Sequence, residues 1–422
     1  MIRRAYTVFL WLIAPFMWAG LWRRSRREGG SWDILAPARF GRFDAAAVQG
    51  MVWVHAVSLG ETRAARTLVD ALLADGCQVL LTHTTATGRA EGARLFAPAI
   101  ASGQLHQAWF PYDFPGSMRR FLAHYRPRVG LLIEREVWPN LVAQARLAAV
   151  PLVLVSARLS EASAAAMLRL RRLMQPAFSG LTLVLAQTQD DAQRLSHAGA
   201  RQVEVIGNLK FDIEPPGHAL RTGWAWRESW QRPVVMLAST RDGEEDLFLD
   251  AVQALPPLPD MPLFLLVPRH PQRFDEVAAL LQERGVSFSR RSELSDMAGA
   301  ARADWLLGDS VGEMPAYYAA SSLAIIGGSF EDFGGQNLVE ASACGVPVIV
   351  GPHTRNFAQA SDDAIAAGAA LRVNDARAAI QAALHLLDDA PRRAAMQAAA
   401  QTFIAAHQGA TMKAMSALRP WR

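Results

Sequence analysis

The sequence predicts an α/β protein made of two doubly wound domains facing each other across a cleft. Three observations lead there. Strand-like and helix-like segments alternate along the chain, the pattern of mostly parallel sheets. Its 422 residues exceed one ordinary core and fit two domains of roughly 150–200 residues. The unusual residues gather just beyond strands, where open α/β sheets bind ligands.

The first segment stands apart. Ala5–Trp22 is eighteen residues without a charge, rich in tryptophan and phenylalanine. That is the short end of the membrane-spanning range. Arg3 and Arg4 precede it, and Arg23, Arg24, Arg26 and Arg27 follow. No small-x-small cleavage site follows the apolar run, which disfavours a signal peptide. A spanning helix and an interfacial helix seated on anionic lipid both remain open. If it spans, the arginine excess after it places the bulk of the chain in the cytoplasm. Eight arginines against Glu28 and Asp33 give residues 1–42 a charge of +6, leaving −2 for the rest of a chain of net +4. A basic terminus on a near-neutral body points to a surface partner and away from nucleic acid. Cys77 and Cys344 form neither a disulfide framework nor a zinc spacing.

Then the strand–loop–helix units begin. Met51–Glu61 reads as a strand and tight loop, with a helix over 62–74. Cys77–Phe96 repeats the design through a threonine-rich turn, and Arg128–Arg146 does so again. The strands of "PLVLVSARLS", "TLVLAQTQDD" and "VEVIGNLKFD" complete a first half, residues 31–214 after a 1–30 anchor. Pro215-Pro216-Gly217 opens an expected linker, 215–232. A second domain follows over 233–422, with strands in "PVVMLAST", "PLFLLVPRH", "DWLLGDS" and "LAIIGGS" and alanine-rich helices at the end.

The strand-end loops offer chemistry, each beside a plainer explanation. In "AIIGGSFEDFGGQNLVEASACGVPVIVGPHT", Gly327, Gly328 and Ser329 end a strand, and Gly334 and Gly335 precede a short helix expected over 337–344. Glycine lets backbone N–H groups approach an anion, and a helix start favours phosphate. Glu340 is placed to accept from ribose hydroxyls; equally, Asn337 and Glu340 resemble a capping box. In "SLGE", Glu61 is either a helix-start glutamate favoured by the dipole or a general base, given a raised pKa. Glu134 and Glu136 of "EREVWPN" alternate, so an extended segment would point both one way, into the cleft, and Arg135 elsewhere, or else both are solvated loop acids. "THTTATGR" supplies Thr84, Thr85, Thr87 and Gly88 for sugar or phosphate, or else Thr87 as a helix cap. Arg269, His270 and Arg273 of "VPRHPQRF" suit a phosphate or carboxylate, or form a basic surface turn. "GDSVGEM" adds a glycine loop with Gly312 and Glu313. Lys210 and Lys413 are the only lysines, and Lys210 reads as a loop lysine. No carboxylate or His/Cys grouping has ligand spacing, so no metal is expected.

Together the loops resemble the 3-deoxy-D-manno-octulosonic acid (Kdo) transferases of lipopolysaccharide synthesis. The resemblance rests on "VHAVSLGE", "THTTATGR", "PYDFPGSMRRFL", "EREVWPNL", "SARLSE", "GNLKFD", "VPRHPQRF", "GDSVGEM", "GGSFEDFGGQNLVE" and "GPHTRNF", in family order over roughly residues 50–360. It implies a GT-B fold of two Rossmann-like domains with an N-terminal membrane-anchor helix. It implies inverting, metal-independent transfer without a cofactor, from CMP-Kdo to the lipid A precursor at the cytoplasmic face of the bacterial inner membrane. Under it, Glu61 matches the catalytic base and Glu136 the second acid of the E-x-E-x-W-P motif. Ser58, Gly60 and the threonine-rich turn fall to the substrate. Arg269, His270, Gly312, Glu313, Gly327, Gly328, Ser329, Asn337 and Glu340 fall to CMP. This chain departs from the family at Gln336, where histidine is usual, and at Arg135, where threonine is. "TTATG" lacks the usual methionine and proline. Arg135 beside the acids would favour a permanently charged Glu136. The alternatives are another GT-B nucleotide-sugar transferase or epimerase, or a non-catalytic membrane-attached binder of nucleotide sugars.

Overall fold

The computed structural model describes the chain except residues 30–31, 44–47 and 257–259 and the side chains of Arg27 and Glu28. The anchor boundary expected at 30/31 lies outside the described residues. Two compact units result: Met1–Asp212 with His407–Arg422, and Ile213–Ala406.

The first unit holds a seven-stranded parallel sheet. Its strands are β1 (Val52–His55), β2 (Val79–His83), β3 (Leu105–Trp109), β4 (Val129–Ile133), β5 (Leu152–Ala157), β6 (Leu183–Ala186) and β7 (Val203–Val205), in the order β3-β2-β1-β4-β5-β6-β7. The second unit's sheet comprises β8 (Val234–Thr240), β9 (Leu263–Pro268), β10 (Phe288–Arg290), β11 (Trp305–Leu307), β12 (Leu323–Ile326), β13 (Val348–Val350) and β14 (Ala370–Arg372), ordered β10-β11-β9-β8-β12-β13-β14. The central strands read as unbroken apolar runs because helices cover both faces of a parallel sheet. In β1, β4, β8 and β12 nearly every side chain is buried. Strand order reverses between β1 and β4 in one sheet and between β8 and β12 in the other. Crevices at the carboxyl ends of such strands are where doubly wound sheets hold ligands.

Two boundaries differ from expectation. Pro215-Pro216 does not open a linker: a helix over Gly217–Trp230 follows at once and buries Ala219, Gly223, Trp226 and Trp230 within the second unit. A Cβ at Gly223 would come 2.2 Å from the Ala316 carbonyl oxygen, so glycine there permits tight helix–helix contact. At the other end, the chain leaves the second unit and returns to the first. Ala410, Ala414, Met415 and Leu418 join the buried core that includes residues of β1, β2 and β4 and of the helix over Arg66–Ala74. The Asp212 carboxylate pins that return by accepting from the backbone N–H groups of Gly409 (2.7 Å) and Thr411 (2.5 Å).

The N-terminal helix, Ile2–Glu28, runs through Pro15. Among the described residues it is the one helix long and apolar enough to cross a membrane. One side lies on the first unit. Trp11 stacks on Phe114 with ring centroids 4.0 Å apart, and the Tyr6 hydroxyl donates to Asp113 at 3.1 Å. Leu12 and Phe16 point outward, 68% and 80% exposed. Arg39, counted above with the basic terminus, is instead buried. Its guanidinium lies over the Trp109 ring and donates to the carbonyls of Trp32 and Thr84.

Candidate active site

In the first unit, the chain leaves β1 at His55 and turns at Ser58 into a helix over Leu59–Ala64. The helix starts three residues before position 62 and breaks at Ala65, after which a second runs over Arg66–Ala74. Ser58 is its N-cap and Glu61 its third residue, and the two make a reciprocal capping box. The Glu61 carboxylate accepts from the Val57 N–H at 2.5 Å and the Ser58 N–H at 3.3 Å. Gly60 is exposed on the same turn. The threonine-rich loop braces this turn from behind. Thr85, not Thr87, caps the helix over Ala86–Leu95, accepting from the Gly88 N–H. The Thr85 hydroxyl donates to the Val57 carbonyl at 2.9 Å, and a Cβ at Gly88 would sit 3.0 Å from that same oxygen. Thr84 offers its carbonyl to Arg39, and Thr87 donates to Thr85.

Beyond β4 the expected alternation fails. Glu134 has φ +62° and begins a turn, so Glu134 and Glu136 do not share a direction. Glu134 turns inward as a buried acid between Lys210 (2.7 Å) and Arg158 (2.8 Å). Lys210 is therefore an ion-pair partner, not a plain loop lysine. Burial pushes the Glu134 pKa up, but Lys210 and Arg158 outweigh it and hold the pKa below the ordinary value. Glu136 accepts from the Trp138 indole N–H at 2.8 Å. Burial raises its pKa, and the pull of Trp138 and Arg135 does not offset that. The acid held below the ordinary carboxyl range is thus Glu134, while Glu136 is pushed above it despite Arg135.

Glu61 gathers these effects. Burial, then the charges of Glu136 and Glu134, push its pKa up to about 7 against the two backbone N–H donors. A carboxyl that exchanges its proton near neutrality is matched to general-base work. It stands at the switch point between β1 and β4, where the fold places ligands.

In the second unit, the glycine turn after β12 is filled from within. The Glu244 carboxylate accepts from the N–H groups of Gly328 (2.6 Å), Phe330 (3.0 Å) and Arg241 (2.9 Å). The Gly328 N–H expected to meet an anion thus meets a protein carboxylate. Ser329 is also internal, donating to Ile326 and accepting from the Gly351 N–H. Gly327 lies against β8, where a Cβ would be 2.7 Å from the Ser239 carbonyl oxygen. The capping box expected at Asn337 and Glu340 is absent. The helix spans Val339–Ala343, Asn337 accepts from the Val339 N–H two residues on, and its amide donates to Glu340 at 3.2 Å.

The basic loop after β9 divides its arginines. Arg273 forms a two-pronged pair with Glu245 at 2.8 and 3.1 Å. The Arg269 Nε donates to Gln336 at 3.1 Å, so the residue in place of histidine orients an arginine. The pKa of His270 is lowered by burial, then by Arg241, Arg269 and Arg273, the mark of a positive local field. Glu313 is engaged by Arg291 at 2.9 Å and by Ser310, and Gly312 supplies the φ of +93° before it.

Sequence reasoning missed Glu244 and His55. Glu244 follows a strand as the first of three acids opening a helix over Glu244–Gln253. That pattern was visible, but two of its three partners lie 84 and 86 residues away. His55, within "VHAVSLGE", carries no spacing signal of its own.

This architecture is the GT-B-like α/β fold. A crystal structure of a glycosyltransferase from Rickettsia africae superposes with TM-score 0.56 over 89% of this chain and 98% of its own, at 11% identity, a likeness of fold. The family model "3-Deoxy-D-manno-octulosonic-acid transferase (kdotransferase)" matches residues 36–213, and "Glycosyl transferases group 1" matches 284–403. The 3-deoxy-D-manno-octulosonic acid transferase of Bordetella pertussis is 57% identical across 99% of both chains. That of Haemophilus influenzae is 32% identical across 88% of this chain and 87% of its own. The chain belongs to the Kdo transferase family.

Proposed function

We propose that the protein transfers Kdo from CMP-Kdo to the lipid A precursor, with inversion, at the cytoplasmic face of the inner membrane. The observation that carries the mechanism is Glu61, an acid held near neutrality at a switch point. Its carboxylate takes the proton from an acceptor hydroxyl as that oxygen bonds to the anomeric carbon of Kdo. The bond from that carbon to the phosphate oxygen breaks, and CMP leaves with the electron pair. The second unit holds the nucleotide, with Arg269 and the positive field around His270 stabilising charge on the leaving phosphate. Glu340, oriented by Asn337, accepts from the ribose hydroxyls.

Two experiments test the binding assignments. Glu340→Ala should weaken CMP affinity about tenfold or more, the loss expected of a hydrogen bond to a charged group. Calorimetry that finds affinity unchanged would leave Glu340 with only its bond to Asn337. For the anchor, replacing both Leu12 and Phe16 by Asp puts charges on the outward apolar side, each unfavourable in lipid by roughly 2.5–3.5 kcal/mol at a helix centre. Flotation with phosphatidylglycerol vesicles should fall at least about tenfold. Wild-type flotation by that variant would move the membrane contact elsewhere.

A further inference from the structure

His55 ends β1 wholly buried, its ring stacked on Phe110 with centroids 3.9 Å apart. Among the described residues its Nε2 has no hydrogen-bond partner. A buried polar atom left so asks for an explanation. That nitrogen points at Glu136, whose Oε2 is 3.8 Å away.

The other face of the ring decides where the proton sits. Nδ1 lies 2.9 Å from the Thr82 hydroxyl and 3.2 Å from the Thr82 carbonyl. The Thr82 hydroxyl already accepts from the Trp53 indole N–H at 2.8 Å. Its own hydrogen can go to the Val54 carbonyl at 3.4 Å or to His55 Nδ1 at 2.9 Å. The Thr82 carbonyl already accepts from the Ala56 N–H at 3.1 Å, so the hydroxyl, at the shorter distance, is taken as the donor to Nδ1, and an accepting Nδ1 leaves the neutral ring's one proton on Nε2. The opposite tautomer would aim a bare lone pair at a carboxylate. His83 is the contrast: Nδ1 faces the Ala56 carbonyl at 3.0 Å, and Nε2 faces the Gln107 amide nitrogen at 3.1 Å.

We propose that His55 is a positioning residue for Glu136: its Nε2–H closes onto the Glu136 carboxylate and fixes that charge beside Glu61. The direction of donation runs from Trp53 to Thr82 to His55 to Glu136. At 3.8 Å the last bond is open, as such bonds often are before substrate binds. The charged neighbours are few. His55 faces His83, Arg39 and Glu136; Glu136 faces Glu134 and Arg135; Glu61 faces Glu136 and Glu134. A fixed, ionised Glu136 opposes ionisation of Glu61 and keeps it a stronger base. The proposal rests on the assignment of Glu61 as base.

The test uses the full-length chain with 15N-labelled histidine. The His55 resonances should be those of the Nε2–H tautomer, and Thr82→Val should shift them towards Nδ1–H. His55→Phe keeps a flat ring without a donor. It should lower kcat by about ten- to a hundredfold, the scale of a small misplacement, with KM for CMP-Kdo unchanged. The acid limb of its pH profile should move to lower pH, and His55→Gln should restore most of the rate. An Nδ1–H tautomer in the wild-type protein overturns the proposal. So does a folded His55→Phe with wild-type kcat and an unmoved limb. If His55→Phe fails to fold, the His55 tautomer in the wild-type protein and its shift in Thr82→Val still decide. Retained turnover in Glu61→Gln would remove the base assignment while leaving the tautomer result standing, so the two failures read differently.

Discussion

Glu61→Gln should reduce Kdo transfer by about two to four orders of magnitude, the usual contribution of a general base, while CMP affinity is unchanged. The acid stands in the first unit, and the residues proposed to hold nucleotide stand in the second. In the wild-type enzyme the base must be ionised to act. With its pKa raised to about 7 by burial and by the charges of Glu136 and Glu134, kcat/KM should fall as pH drops below neutrality and level off above it. The same shift has a stability consequence of definite sign. A carboxyl whose folded pKa exceeds its unfolded value binds protons more tightly in the folded state. Stability is therefore lost as pH rises from the ordinary carboxyl pKa to about 7. Glutamine keeps an acceptor for Val57 and Ser58 and removes the charge. The variant's melting temperature at pH 8 should then equal or exceed the wild-type value. A variant that keeps turnover within about tenfold, or under ~1.4 kcal/mol of barrier, would sink the base. One that loses rate only in proportion to stability would reduce Glu61 to a cap.

Glu244→Ala should destabilise the second unit by about 3–5 kcal/mol, the loss expected when several buried donors are left without a charged acceptor. The side chain is fully buried and answers three backbone N–H groups. Two of these belong to the turn after β12, whose backbone doubles back so closely that Gly335 donates to the Gly328 carbonyl at 2.5 Å. Loss of the carboxylate should loosen that turn as well as the unit, so CMP should also bind more weakly. Glu244→Gln retains one good acceptor and should lie between. Urea unfolding that shows less than about 1 kcal/mol, the scale of an ordinary substitution, would show that the turn holds itself.

The strands were legible because parallel strands covered on both faces are short apolar runs bounded by turn residues. Their ends were legible for the same reason, which brought attention to Glu61, Glu136 and Gly327–Ser329. What sequence could not supply was the partner of each group. The capping box was expected at Glu340 and occurs at Glu61, since both glutamates lie three residues beyond a capping side chain. Period-two alternation failed at Glu134 because that residue adopts a left-handed φ, against the ordinary preference of a non-glycine residue. Glu244 escaped notice because its bonds reach 84 and 86 residues along the chain. The last helix follows the second domain in sequence, and its apolar face does not say which core it joins. The structure places it in the first.

The most direct measurement is a timed assay of the full-length enzyme with CMP-Kdo and lipid A precursor, reading acceptor mass and released CMP together. The expected result is acceptor carrying whole Kdo units, one CMP released per unit, and neither product from Glu61→Gln. Release of CMP without a heavier acceptor, or a heavier acceptor made equally well by Glu61→Gln, would contradict the assignment of this site.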